Sequence, residues 1–107
     1  MASIEISEAD NGKTLLLHVG DIVALHLPEK VTAGYQWTVD QIDTNKVSYT
    51  KHRDPVTSQV LGGEQFCTFT FTIKEIGTIS FALKHWRPWE GDFSITAQYT
   101  IVFNIQM

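Results

Sequence analysis

The chain has 107 residues, of which 43% are hydrophobic and 19% charged, and its net charge is -4 at pH 7. These values exclude wholesale disorder and predict a single globular domain over residues 1–107. The acidic balance argues against a nucleic-acid partner, because phosphate binding requires clustered lysine and arginine. No apolar stretch reaches the length of a membrane span, so we expect no membrane partner either.

The first residues, Met1-Ala2-Ser3-Ile4-Glu5, have neither the basic head nor the apolar body of a signal peptide. If Met1 is the native start, this predicts a cytoplasmic protein. A chain that begins where a signal peptide has been removed would look the same. It would then be a secretory, periplasmic or lysosomal protein.

Apolar residues alternate with polar ones along most of the chain, which is typical of strands with one buried face. The alternating runs are residues 15–19, 23–27, 35–39, 67–73, 79–83 and 95–105. Tight turns are predicted between them at Asn11-Gly12, Gly20-Asp21, Glu75-Ile76-Gly77 and Glu90-Gly91-Asp92. The pattern predicts an all-β, immunoglobulin-like β-sandwich of seven to eight antiparallel strands, with a barrel as the structural alternative.

Polar residues show no pattern that indicates catalysis or a bound cofactor. Cys67 is the single cysteine and is in phase with Phe69 and Phe71, so we expect it in the core rather than as a nucleophile. The four histidines lack metal-ligand spacing, which predicts neither a metal site nor an enzyme. They are His18, His26, His52 and His85. The carboxylates of Glu29, Glu64 and Glu90 are interpreted as a solvated rim.

The first of three irregular segments is Val31-Thr32-Ala33-Gly34-Tyr35. Pro28 is expected to end the preceding strand, because proline cannot donate to a sheet ladder. The small, weakly polar residues that follow suit insertion into a narrow cleft, and Gly34 can adopt a positive φ. Taken alone, the segment is equally consistent with a tight connection between two strands.

Two further segments have the composition of binding loops. Leu61-Gly62-Gly63 has adjacent glycines, which are typical either of a flexible lid or of a close approach of the backbone to a partner. Arg87-Pro88-Trp89 combines the residue types most enriched at interface hot spots with a proline that lowers the ordering cost of binding. We therefore expect Trp89 to be an exposed anchor. Trp37 and Trp86 are expected to fold back over the open end of the sandwich.

The order and spacing of the three segments resemble the chagasin-type inhibitors of papain-like cysteine peptidases, over essentially the whole chain. That family's first loop reads Asn-Pro-Thr-Thr-Gly-Tyr or similar. Here Thr32, Gly34 and Tyr35 match, followed by Gln36-Trp37, whereas Lys30, Val31 and Ala33 depart. In the second loop, Gly62-Gly63 is kept and Val60 replaces a glycine, and the third loop, Arg87-Pro88-Trp89, matches in full.

The resemblance implies a reversible, competitive inhibitor, monomeric when free and without a cofactor, which plugs the cleft of a papain-like cysteine peptidase with three loops. By resemblance, Thr32 would lie over the catalytic Cys-His pair, and the Gly62-Gly63 backbone would lie across the cleft. Trp89 would stack on aromatic residues of the cleft wall, and Arg87 would make polar contacts or brace its loop.

A non-catalytic binding module of another class is the alternative function. In that interpretation, Trp86 and Trp89 would form a flat stacking platform for a carbohydrate or a protein.

Overall fold

The computed structural model describes residues 2–30, 33–53 and 65–107 of the chain. Eight strands account for most of these residues, and three short 3₁₀ turns, Glu8–Asp10, Pro88–Glu90 and Asp92–Ser94, account for the helical ones. The strands are β1 (Ser3–Ser7), β2 (Thr14–His18), β3 (Ile22–Glu29), β4 (Gln36–Asp40), β5 (Val47–Arg53), β6 (Gln65–Ile73), β7 (Gly77–Trp86) and β8 (Ala97–Gln106).

The strands form two four-stranded sheets, with the orders β1-β3-β6-β5 and β2-β8-β7-β4. The prediction of an all-β sandwich is therefore confirmed, with eight strands among the described residues. Among the described residues, no helix is long and apolar enough to cross a bilayer.

Both sheets are mixed, which corrects the expectation that all strands are antiparallel. β1 pairs with β3 in parallel, and β2 pairs with β8 in parallel. The other four pairs in the described part of the chain are antiparallel. The parallel β1–β3 pair arises because the chain crosses to the opposite sheet through β2 before it returns, so that two reversals of direction separate β1 from β3.

The core lies between the sheets and follows the period-two pattern. Alternate residues of β3, β6, β7 and β8 are buried. Three phenylalanines from the two sheets meet at its centre: the Phe81 and Phe103 rings are 5.0 Å apart, and both contact Phe71. Cys67 is fully buried in the same layer, as predicted.

Pro28 does not end its strand, contrary to the sequence-based expectation. β3 continues to Glu29, and Pro28 is paired with Phe66 of β6. The other neighbour of β3 is β1, whose pairing ends at His26. Beyond that residue β3 has an open edge, where a missing N–H interrupts no ladder.

The strand connections that contain the three irregular segments all start and end at the same end of the sandwich. Glu29 is opposite Gln65, and Gln36 is opposite Trp86, so the β3–β4, β5–β6 and β7–β8 connections share this end. The Gly20 and Gly77 turns lie at the opposite end. We call the shared end the loop end.

Candidate functional site

Arg87 holds the first and third segments together. Its Nε donates to the carbonyl oxygen of Ala33 at 2.9 Å, and its Nη1 contacts the Glu90 carboxylate at 2.9 Å. The guanidinium carbon also lies 4.6 Å from the centre of the Tyr35 ring, where the positive charge meets the negative face of the aromatic system. Arg87 therefore braces the two loops in the free protein.

Trp89 packs against the first segment through its indole edge. Gly34 has φ +84°, and a β-carbon at this position would lie 2.7 Å from Cη2 of Trp89, which is too close for any larger residue in this arrangement. The remainder of the indole is in solvent, with 70% of the residue exposed. The prediction of an exposed tryptophan at this position is confirmed by the structure.

The first segment is anchored at Lys30. The Lys30 carbonyl oxygen accepts hydrogen bonds from the N–H groups of Ala33 and Tyr35, each at 3.2 Å. The Lys30 N–H in turn donates to Nε2 of His85, at 3.3 Å. The described part of this loop is thus fixed from both sides. Val31 and Thr32 lie outside the described residues.

Glu29 is buried at the base of the first segment, which overturns its interpretation as part of a solvated rim. Its side chain is 0% exposed. Oε2 accepts hydrogen bonds from the Trp37 N–H at 2.8 Å and from Lys51 Nζ at 2.6 Å, and Oε1 accepts one from Arg53 Nε at 2.9 Å. Glu90 is exposed, in agreement with the rim interpretation, and Glu64 lies outside the described residues.

These contacts connect the bases of two loops through one carboxylate. Glu29 ends β3 before the first segment, and Arg53 ends β5 before the second. Burial alone would raise the pKa of Glu29, but the hydrogen bonds from Lys51, the Trp37 N–H and Arg53 together outweigh it and hold the pKa below its usual value. Glu29 is therefore ionised at neutral pH and ties the two sheets together at the loop end.

His85 connects the first and third segments, as Glu29 connects the bases of the first and second loops. Its Nδ1 lies 2.8 Å from Oγ1 of Thr96, and its ring stacks on Tyr35 and contacts Trp37, with centroids 5.3 Å and 5.1 Å away. Burial lowers its pKa, which favours the neutral ring. A neutral ring with its proton on Nδ1 can donate to Thr96 and accept from the Lys30 N–H.

Neither Glu29 nor His85 was identified from the sequence as a functional residue, although the pattern contained a signal. Glu29 is in phase with the buried residues Val23, Leu25 and Leu27, and His85 is in phase with Phe81 and Leu83. A polar residue at an inward position of a strand must find a partner inside the fold.

The second segment can be located only through the strands beside it. Leu61, Gly62 and Gly63 lie outside the described residues. The strands that enter and leave the segment, β5 and β6, are adjacent in their sheet, with Arg53 opposite Cys67. The β5–β6 connection, which contains this segment, therefore starts and ends at the loop end.

The alternative of a flat Trp86/Trp89 platform is not favoured by the geometry. Lys84 Nζ lies 3.6 Å from the Trp86 ring centre, so a cation already covers one face of this indole. Trp86 Nε1 donates to Thr38 Oγ1 at 3.0 Å. Trp86 is half-buried on the sheet surface, whereas Trp89 lies against Gly34 of the first segment.

A sequence profile described as "Chagasin family peptidase inhibitor I42" matches residues 16–105. The chain belongs to the chagasin family. This membership confirms the resemblance noted from the three segments and the prediction of an inhibitor rather than an enzyme. The matched range includes all three segments and every strand except β1, the first two residues of β2 and the last residue of β8.

The chain is also similar to individual proteins in sequence or in fold. Chagasin from Trypanosoma cruzi is 30% identical over 104 residues, which cover 92% of this chain and 94% of that protein. The fold resembles that of the cysteine protease inhibitor EhICP2 from Entamoeba histolytica, with a TM-score of 0.85, 23% identity and coverage of 99% and 97% of the two chains. It also resembles PbICP-C, solved in complex with falcipain-2, with a TM-score of 0.69, 16% identity and coverage of 99% and 100%.

Proposed function

We propose that this chagasin-family protein is a reversible, competitive inhibitor of papain-like cysteine proteases and that its three loops fill the active-site cleft. The observation that carries the proposal is the exposed Trp89 indole, fixed against Gly34 on a loop that Arg87 bonds to Ala33. Two relatives support the choice of target: one is named as a cysteine protease inhibitor, and another was solved in complex with falcipain-2.

The inhibition would act by occlusion. A papain-like enzyme attacks a carbonyl that is presented to its thiolate–imidazolium pair. A loop that fills the cleft without a well-placed scissile bond blocks this step and needs no covalent chemistry. Cys67, fully buried between the sheets, is not available for a disulfide with the enzyme.

Preorganisation is the physical basis of tight binding in this arrangement. Binding costs free energy whenever loops and side chains must be ordered. In this chain, Arg87, Glu29 and His85 already fix the described parts of the loop end before any partner arrives. Interfaces between proteases and their inhibitors bury about 1,600 Å² and are among the tightest known.

The proposed roles of individual residues follow the same geometry. Val31, Thr32, Ala33, Gly34 and Tyr35 would enter the cleft as its central occupant. Leu61, Gly62 and Gly63 would contact one wall through their backbone. Arg87, Pro88 and Trp89 would contact the other wall, where the exposed indole supplies most of the apolar area.

The experiment that tests the function is a titration of papain and of a cathepsin-L-like peptidase with the purified chain, using a fluorogenic peptide substrate. Competitive inhibition predicts that the apparent inhibition constant rises linearly with substrate concentration. Reversible inhibition predicts that activity returns on dilution, with the inhibitor recovered at its intact mass. The proposal fails if micromolar protein inhibits neither enzyme, or if the chain is simply cleaved as a substrate.

A further inference from the structure

A second aromatic residue of the third loop is more exposed than Trp89. Phe93 is 84% exposed and lies in the 3₁₀ turn Asp92–Ser94, four residues after the tryptophan. Apart from Met107 at the end of the chain, Trp89 and Phe93 are the two large apolar residues of the described part that are more than two-thirds exposed. Isolated apolar residues are common on surfaces, but two in one short loop indicate an interaction site.

Phe93 contributes nothing visible to the core. It lies in the second of the two 3₁₀ turns that carry the chain from β7 back to β8, and neither turn contains a buried residue. Because a phenylalanine gains folding free energy only from the area it buries, this side chain adds little stability. Its apolar surface is therefore available to a partner.

Ser94 closes the loop and holds Phe93 in place. The Ser94 hydroxyl accepts a hydrogen bond from the Arg87 N–H at 2.9 Å and lies 2.7 Å from the carbonyl oxygen of Gly91. Successive backbone hydrogen bonds, from Glu90 to Arg87, from Gly91 to Pro88 and from Ser94 to Gly91, fix the segment between them. The phenyl ring thus projects from ordered backbone, which lowers the entropic cost of using it in binding.

The two aromatic residues belong to opposite limbs of the loop. Trp89 lies in the limb that leaves β7 and packs on Gly34 of the first segment. Phe93 lies in the limb that returns to β8, where Lys84 Nζ is 3.4 Å from the carboxylate of its neighbour Asp92. The apolar surface of the third loop therefore extends beyond the part that faces the first segment.

We propose that Phe93 is a second anchor of the inhibitor, which binds an apolar patch on the target peptidase beside the cleft and sets the preference among peptidases. The proposal rests on the proposed function and extends the contact surface of the same site. The carboxylates of the same loop are already paired within this chain, Glu90 with Arg87 at 2.9 Å and Asp92 with Lys84 at 3.4 Å, so the matching patch on the enzyme is expected to be apolar. Trp89 would supply affinity for the cleft that all targets share.

The test compares Phe93→Ala, Phe93→Leu and Trp89→Ala with the unmodified chain against a panel of papain-like peptidases. Phe93→Ala should raise the inhibition constant by about tenfold or more for at least one peptidase, and by unequal factors across the panel. Phe93→Leu, which keeps apolar surface, should recover part of the loss. Ile76→Ala is the matched control, since Ile76 is also exposed, at 52%, but lies in the turn before β7 at the opposite end.

Each remaining outcome has a distinct meaning. One outcome is that Phe93→Ala and the unmodified chain have equal inhibition constants on every enzyme while Trp89→Ala weakens inhibition. That result overturns this proposal and leaves the proposed function standing. A uniform loss across the panel overturns the role in preference among peptidases. A fall in the urea midpoint of Phe93→Ala relative to Ile76→Ala would make the ring structural and also overturn the proposal. Failure of the unmodified chain to inhibit any peptidase overturns the proposed function and this inference together.

Discussion

The indole edge of Trp89 packs against Gly34, so that a β-carbon at position 34 would be 2.7 Å from the Cη2 atom of Trp89. This contact joins the first and third segments at the loop end. Gly34 has two roles: it adopts a φ of +84°, and its lack of a side chain leaves room for the indole. Backbone conformation and packing therefore both favour glycine at position 34.

Gly34→Ala should weaken inhibition and lower stability slightly. The positive φ costs a residue with a β-carbon about 1–2 kcal/mol, and the methyl group would displace the indole. We expect a loss of about that size in the free energy of unfolding, measured in urea, and a rise of about tenfold or more in the inhibition constant. Gly20→Ala is the matched control.

Gly20 also has a positive φ, +97°, but no atom lies within 4 Å of the place that a β-carbon would occupy there. It lies between β2 and β3 at the opposite end of the sandwich. Gly20→Ala should therefore show the backbone cost without a change in inhibition. Equal inhibition constants for the two variants would contradict the proposed role of the Gly34–Trp89 contact.

Trp89→Ala should separate binding from folding. An exposed hot-spot tryptophan contributes about 2 kcal/mol or more to binding, so the inhibition constant should rise by about 30-fold or more. Because the residue is 70% exposed, the free energy of unfolding should change by less than about 1 kcal/mol.

Trp37→Ala provides the opposite case, since Trp37 is only 4% exposed and donates from Nε1 to the Pro28 carbonyl oxygen at 2.7 Å. This variant should lose about 3–5 kcal/mol of stability. If Trp89→Ala lost as much stability as affinity, its indole would be a structural element rather than an anchor.

The period-two pattern was sufficient to predict the sandwich because one face of each strand is buried. It placed Leu25, Phe69, Leu83 and Phe103 correctly in the core. It could not predict the parallel pairs, since which strands become neighbours depends on where the chain changes sheets. Pro28 was misinterpreted for a related reason: proline is tolerated where β3 has lost its neighbour β1, and edges are a property of the assembled sheet.

The candidate site was predicted in part. Trp89 and Arg87 could be singled out because their residue types and the adjacent proline are unusual in a turn. Glu29 was misassigned, since a charged residue beside a loop is usually solvated. Its burial depends on Lys51 and Arg53, which are more than 20 residues away in sequence and reach it only through the pairing of β3 and β5 with β6.

Glu29→Gln should destabilise the loop end more than the loss of a surface ion pair would. The variant keeps the shape of the side chain but removes the charge that accepts from Lys51, Arg53 and the Trp37 N–H. Since Lys51 and Arg53 are partly exposed and can regain water, we expect a loss of about 2–3 kcal/mol in the free energy of unfolding.

Glu75→Gln is the control. The Lys46–Glu75 pair is 3.8 Å long and lies at the surface, so it should contribute less than about 0.5 kcal/mol.

The two variants should also differ in how much stability they lose at acid pH. Since the pKa of Glu29 lies below its usual 4.5, the unfolded chain binds the proton first, and stability is lost as pH falls below 4.5 and through the native pKa. Glu29→Gln should lack that part of the acid loss, and an unchanged acid profile would contradict the assignment.

His85 should make stability depend on pH in a higher range. Burial holds its pKa below the usual 6.5, so the unfolded chain takes up a proton before the native one. Stability should therefore be full above pH 6.5 and decrease as pH falls from 6.5 through the native pKa. Structurally, a proton on Nε2 would face the N–H of Lys30 and break the contact that anchors the first segment.

The groups around the His85 ring shift its pKa in both directions. Glu29 favours the imidazolium, whereas burial, Lys30 and Lys51 disfavour it, and the net effect is a lowered pKa. The measurement is a series of urea unfolding curves across this pH range. His85→Gln, whose amide can still accept from Lys30 and donate to Thr96 without titrating, should flatten the profile. A profile for His85→Gln as steep as that of the unmodified chain would mean that another group titrates in this range and that the neutral ring is not what holds Lys30.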